Sequence, residues 1–174
     1  KQINPNCVNT VQLTRNETKP VETNASVRVE GFAYFYLSTY DTDDPIQVGQ
    51  ITTYVVEGKN EGIYPCTNAY VTCHIPKEMK YELAQCSPGI KYTYNKKTAT
   101  IVFDKIPILQ PGEKAIYWVT CKGVKPGLAK FMTILVYDGF RAPAVDEELT
   151  TVTRNLQIIQ PELQLTQEAS AKLI

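Results

Sequence analysis

From about residue 27 onward, apolar and β-branched residues come in short runs that alternate with polar ones, cut at regular intervals by Pro, Gly, Asn and Asp. A period of two marks a strand with one face buried, and turn residues recurring at this spacing mark a sandwich. The pattern predicts strands over Arg28 to Ser38, Gln50 to Lys59, Asn68 to Ile75, Ile90 to Tyr94, Thr98 to Phe103, Lys114 to Lys122 and Leu128 to Tyr137, with an eighth over Glu148 to Ile158. Seven or eight mainly antiparallel strands within residues 27–153 make one all-β sandwich. Residues 1–26 carry Asn, Thr, Pro and Glu with little periodicity and read as an N-terminal arm or linker. Residues 154–174 read as a second linker.

The turns have mechanisms of their own. In Gln110-Pro111-Gly112-Glu113, Pro111 presets φ and Gly112 takes the positive φ of a type II turn; Lys125-Pro126-Gly127-Leu128 repeats the logic. Asn95 and Lys96 lie between two alternating segments as a tight hairpin, because Asn tolerates the left-handed conformation. Within Lys114 to Lys122, Ile116, Trp118 and Thr120 share one face, and a lone Trp flanked by Ile and Val is expected in the core.

Composition sharpens this reading. Val, Ile, Thr and Tyr outnumber Leu and Ala by 59 to 22, which excludes an all-helical fold. The 18 basic and 18 acidic residues balance, so the chain has no nucleic-acid footprint. No apolar run approaches the roughly 18 residues needed to span a bilayer. An opening at Lys1 with no charged, apolar leader reads as a processed or excised piece of something longer.

Five cysteines without a C-x-x-C pair point to extracytoplasmic chemistry rather than zinc. Cys66 and Cys73 stand about 23 Å apart if the chain between them is extended, and a disulfide needs Cα atoms within roughly 7 Å, so these two do not pair. Alternation with Val71 and Ile75 places Cys73 inward. Cys86, in the expected Gln85 to Gly89 loop, could fold back on Cys73 and close a loop of about 14 residues, worth roughly 3 kcal/mol. Cys121 falls on the face opposite Trp118, free to reach a neighbouring strand or stay exposed. Cys7, in the arm, is the candidate intermolecular thiol. All five are disulfide or cross-link candidates, with fifteen ways of forming two bridges and leaving one thiol; the alternative is reduced, packed cysteines.

The remaining chemistry is sparse. Asp41, Asp43, Asp44 and Asp138 are the residue type calcium prefers, but Asp before Pro45 is ordinary turn chemistry and no EF-hand loop follows, so no metal and no cofactor is assigned. His74 neighbours Cys73, yet adjacent strand residues point to opposite faces, which is poor geometry for a nucleophile and its base. No G-x-S-x-G, H-E-x-x-H or phosphate-binding glycine loop occurs. Tyr34 and Tyr36 share one face of the first strand, with Phe35 and Leu37 on the other. Exposed, these tyrosines would form an interaction surface; the expectation is that they pack under the arm or a neighbouring repeat.

The order of the motifs adds a family resemblance. Asp44-Pro45 to Gly49 is a D-P-x-x-x-G turn leading into T-Y-x-x-x-x-x-N-x-G at Thr53 to Gly62, followed by TNAYVTCHIP, VFDKIPIL, PGEK and CKGVKPG. Residues 41 to 153 thus resemble the prokaryotic DUF11 repeat, and within them the segment from Thr100 to Thr151 is similar in particular to the C-terminal part of the large cysteine-rich outer-membrane complex proteins of chlamydiae and related bacteria. The resemblance implies an immunoglobulin-like sandwich, usually in tandem, in exported proteins of the bacterial envelope, with no catalytic activity. Gln160 to Thr166 resembles the opening strand of a following repeat. The expected function is a noncatalytic spacer, cross-linked through cysteines, whose partners are neighbouring repeats or other envelope proteins. The alternative is an adhesion domain holding a glycan or host protein through tyrosines or sandwich-end loops.

Overall fold

The computed structural model describes residues 6–16, 19–28, 33–87, 89–139 and 142–154, the side chains of residues 6, 7 and 28 excepted. Its strands in chain order are β1 (Asn6–Leu13), β2 (Val21–Arg28), β3 (Phe35–Asp41), β4 (Ile46–Gln47), β5 (Ile51–Asn60), β6 (Cys66–His74), β7 (Met79–Ser87), β8 (Tyr92–Asn95), β9 (Thr100–Phe103), β10 (Ile106–Leu109), β11 (Lys114–Gly123), β12 (Gly127–Val136) and β13 (Ala144–Thr153). There is no helix among the described residues. A four-stranded sheet runs in the order β3-β5-β11-β7, and a seven-stranded one in the order β4-β13-β12-β6-β9-β8 with β10 also on β6. All pairs are antiparallel except β4 with β13. The two sheets pack as a β-sandwich, as the alternation predicts.

Alternate residues from both sheets fill the space between them. Tyr54 of β5 stacks on Phe131 of β12 with ring centres 4.0 Å apart, and Phe103 of β9 meets Tyr117 of β11 at 4.7 Å. Phe35 enters the core because its partner strand has no side chain at that point: a Cβ on Gly58 would lie 2.5 Å from the Phe35 ring. Where β3 meets β13 the seam is polar. Asp146 accepts from the Thr39 amide at 2.6 Å, Asp44 from the Thr151 amide at 2.7 Å, and Asp41 from the Thr150 hydroxyl at 2.7 Å. Thr150 in turn accepts from the buried Tyr54 hydroxyl. At the other end the fully buried Asn60 amide donates to the carbonyls of Tyr64 and Leu109, tying two loops together.

Two local irregularities reset the alternation. Asn68 takes φ +52°, so Cys66 and Cys73, which odd spacing would place on opposite faces, both point inward. In β7 the register slips opposite Thr120 and Cys121, which brings Tyr81 and Ala84 onto the core side despite their odd spacing.

The structure corrects several sequence expectations. The strand expected over Arg28 to Ser38 is two: β2 ends at Arg28 and β3 starts at Phe35. Part of the expected arm is an antiparallel hairpin of β1 and β2. Gln85 and Cys86 belong to β7 rather than to a loop, and β4, β7 and β10 add strands to the sandwich. The type II geometry holds at Gly112, where φ is +83° and the Glu113 amide donates to the Gln110 carbonyl. It does not hold at Gly127, already in β12; there the Glu78 carbonyl receives the Val124 and Lys125 amides. In the β8–β9 hairpin the left-handed residue is Ala99, while the Asn95 side chain accepts from the Lys97 amide. The last strand ends at Thr153, and the repeat suggested at Gln160 to Thr166 lies outside the described residues.

Candidate functional site

The outer face of the four-stranded sheet gathers three aromatic residues that the core does not use, Tyr36, Tyr40 and Trp118. Trp118, expected inside, points out. It is Ala115, Tyr117, Val119 and Cys121 that are buried, and Ile116, Trp118 and Thr120 are half exposed on the other side. Lys114 and Lys122 share the parity of Trp118, and two lysines bracketing one face mark it as the wet one. That signal outweighs the flanking Ile and Val.

Strand register arranges this face in rows. Tyr40, Val55, Trp118 and Gln85 lie side by side on β3, β5, β11 and β7. On one side is the row Thr53, Thr120 and Leu83, whose two threonine hydroxyls are 2.9 Å apart; on the other is Ser38, Glu57, Ile116 and Ser87. Beyond them each end carries lysines: Lys59 and Lys114 beside Tyr36, and Lys122 and Lys80 beside Ile51. Glu57 is paired with Lys114 at 3.4 Å, so the middle rows hold no unpaired charge.

Val55 is the informative residue. Its parity points it outward, yet only 7% of it is exposed. The side chains able to cover it are its neighbours on the same face, above all Tyr40 and Trp118. Together the three make an apolar row across the sheet. The Tyr40 and Trp118 backbones are two strand spacings apart, roughly 9.5 Å. Tyr34 and Tyr36, expected to pack under the arm or a neighbouring repeat, are about half exposed in this chain, as is Tyr40, which alternation alone does not single out.

The cysteines lie elsewhere. Cys66, Cys73, Cys86 and Cys121 are free thiols. Cys66, Cys73 and Cys121 are fully buried in the core and Cys86 is half buried, so Cys121 neither stays exposed nor crosses to a neighbouring strand as a bridge. The proposed Cys73–Cys86 closure is absent; the two sit on β6 and β7, in different sheets. Burial pushes the thiols of Cys73 and Cys121 up to about 12 and those of Cys66 and Cys86 up to about 11. At neutral pH they are protonated and poor nucleophiles. The backbone of Cys7 pairs with Val27, and its side chain lies outside the described residues.

Each aspartate of the calcium alternative has a structural task. Asp41 and Asp44 close the seam, Asp43 accepts from the Thr42 hydroxyl, and Asp138 accepts from Thr67 and Asn68, which holds its carboxyl below the ordinary range. Among the described residues no three acidic, His or Cys side chains are grouped as a metal site. His74 faces outward against Thr100, with Cys73 on the inward face, so the two diverge as alternation requires.

No family model matches the chain. Among solved structures it is similar to the cohesin module of a family 33 glycoside hydrolase from Clostridium perfringens ATCC13124, with a TM-score of 0.51 and 8% identity over 72% of this chain and 99% of that one. It is similar to the seventh ScaB type I cohesin from Pseudobacteroides cellulosolvens, with a TM-score of 0.50 and 11% identity over 71% of this chain and 96% of that one. It is also similar to the C-terminal domain of the Streptococcus agalactiae AgI/II polypeptide BspA, with a TM-score of 0.51 and 14% identity over 75% of this chain and 53% of that one. At such identities the likeness concerns the fold: the chain is an all-β sandwich of the kind these modules share.

Proposed function

We propose that this chain is a noncatalytic interaction module of an exported bacterial cell-envelope protein, a rigid sandwich that presents the outer face of its four-stranded sheet to a partner. The observation that carries this reading is the row Tyr40, Val55 and Trp118, a supported aromatic platform on a surface that folding alone would make polar. The similarity of residues 41 to 153 to the DUF11 repeat and the fold shared with cohesin modules and the streptococcal AgI/II polypeptide domain support an extracytoplasmic setting. Protonated, mostly buried thiols and a histidine turned away from them support the absence of catalysis.

The cross-linked spacer is the second reading, favoured by the half-exposed Cys86. Three fully buried cysteines give it less to work with than the aromatic face gives the first.

Retention of the labelled module on isolated bacterial envelopes tests the proposal. Binding should saturate, fall at least tenfold with Trp118→Ala, and persist with Ile134→Ala on the opposite sheet. Equal retention of the two variants, or none for the parent protein, sinks it.

A further inference from the structure

We infer that the Tyr40–Val55–Trp118 platform is a stacking site for an uncharged, β-1,4-linked glycan chain lying across the strands. This rests on the interaction-module reading and names its ligand class. Val55 points outward by parity yet is almost wholly covered, and Tyr40 and Trp118 are the large side chains beside it on the adjoining strands, the arrangement expected of rings laid along the sheet with a face outward. A pyranose ring with equatorial substituents has flat faces of C–H groups, and such a face stacks on an aromatic ring as another apolar plate would. The β-1,4 linkage between such rings gives an extended ribbon, of which two successive units cover a span like the roughly 9.5 Å between Tyr40 and Trp118.

The surroundings suit the edges of that ribbon. Sugar hydroxyls project sideways from the ring planes, and the platform is flanked by Thr53 and Thr120 on one side and by Ser38 and Glu57 on the other, with Gln85 ending the row. These rows offer hydroxyl, carboxylate and amide groups on both sides of the aromatic one. The pairing of Glu57 with Lys114 leaves no net charge in the middle rows, which selects a neutral ligand.

A second copy of the chain fits less well. Both ends of the face carry lysines, so either in-plane two-fold axis that stacks face on face brings a lysine row onto a lysine row. The aromatic row is also bordered by hydroxyl-bearing rows on both sides, whereas a stable protein interface wants an apolar centre within roughly 800 Å² per partner.

The chain supplies its own reporter, because Trp118 is its one tryptophan. Cellohexaose and chitohexaose would be titrated against the intact protein, reading Trp118 emission and, independently, heat by calorimetry. Saturable binding of either sugar is expected, and which one binds tells whether the ring carries a hydroxyl or an acetamido group. Tyr40→Ala should weaken binding by about tenfold, with Trp118 still present as reporter, while Tyr40→Phe keeps it. Absence of heat and of emission change with both sugars overturns the inference, as does binding that Tyr40→Ala leaves intact. If envelope retention still depends on Trp118 while neither sugar binds, the glycan is wrong and the docking face stands. If both fail, the module reading falls with it.

Discussion

The outer face of the four-stranded sheet and the β1–β2 hairpin both expose apolar side chains, but only one has a packed layer beneath it. In the hairpin, register puts Val11, Leu13, Val21 and Val27 on one side with Thr23 and Ala25, against a polar side where Gln12 donates to Glu22. Every described side chain on these two strands is exposed. A two-stranded ribbon of this kind is marginal in water by itself. Trp118 and Tyr40, by contrast, stand on strands whose other faces hold Tyr117 and Phe35 in the core. Exposed apolar area alone does not make a recognition surface; the ordering must already have been supplied by folding, so that little entropy remains to be lost on binding.

That contrast can be broken most sharply from below. Phe131→Ala removes the ring on which Tyr54 stacks and should cost about 3 to 5 kcal/mol in denaturant unfolding. A change below about 1 kcal/mol would mean that the layer under the platform is loosely packed. Gly58→Ala drives a methyl into Phe35 and should cost roughly 1 to 3 kcal/mol, read the same way.

How much of this is legible in the sequence depends on what alternation can see. Tyr117, Val119 and Cys121 are on one face and Trp118 on the other by parity alone, but which face is inward is a global choice; the lysines at 114 and 122 settle it only if they are weighed above the aromatic. The left-handed residue at Asn68 and the register slip in β7 are harder, since neither leaves a compositional mark and each inverts the alternation beyond it. Hence the inward placement of Cys73 was readable from its neighbours, while that of Cys66 was not. Short strands such as β4 and β10 form because partners on β13 and β6 offer them hydrogen bonds, which no local pattern records. The platform needed three strands in register before its residues became neighbours.

A finer test concerns the seam below the platform's edge. Burial, and then the charges of Asp41, Asp146 and Asp44, raise the carboxyl of Glu148 above its ordinary value. A raised carboxyl means the folded state binds a proton that the unfolded state has released, so its ionisation opposes folding at neutral pH and that opposition fades as pH falls through the folded value toward the unfolded one. Glu148→Gln should therefore melt higher than the parent at pH 7, with the gap narrowing toward pH 4. A gap constant across that window would show that Glu148 titrates normally. The smallest effect is expected in the hairpin: Leu13→Ser should leave global stability within about 0.5 kcal/mol, and a larger loss would reveal a supporting layer that the platform comparison denies it.

The polar seam has a mechanical consequence. Thr39 pairs with Asp146 and Asp41 with Thr150, so β3 and β13 run in the same direction along their shared seam. Phe35 and Thr153 consequently lie at opposite ends of the sandwich, on the order of 30 Å apart. Tension applied through residues 35 and 153 would load the carboxylate contacts of that seam, and the parallel β4–β13 pair with them, in shear. They would yield together rather than one by one, as they would if peeled open like a zip, so a pull along this axis would meet more resistance than a pull across it.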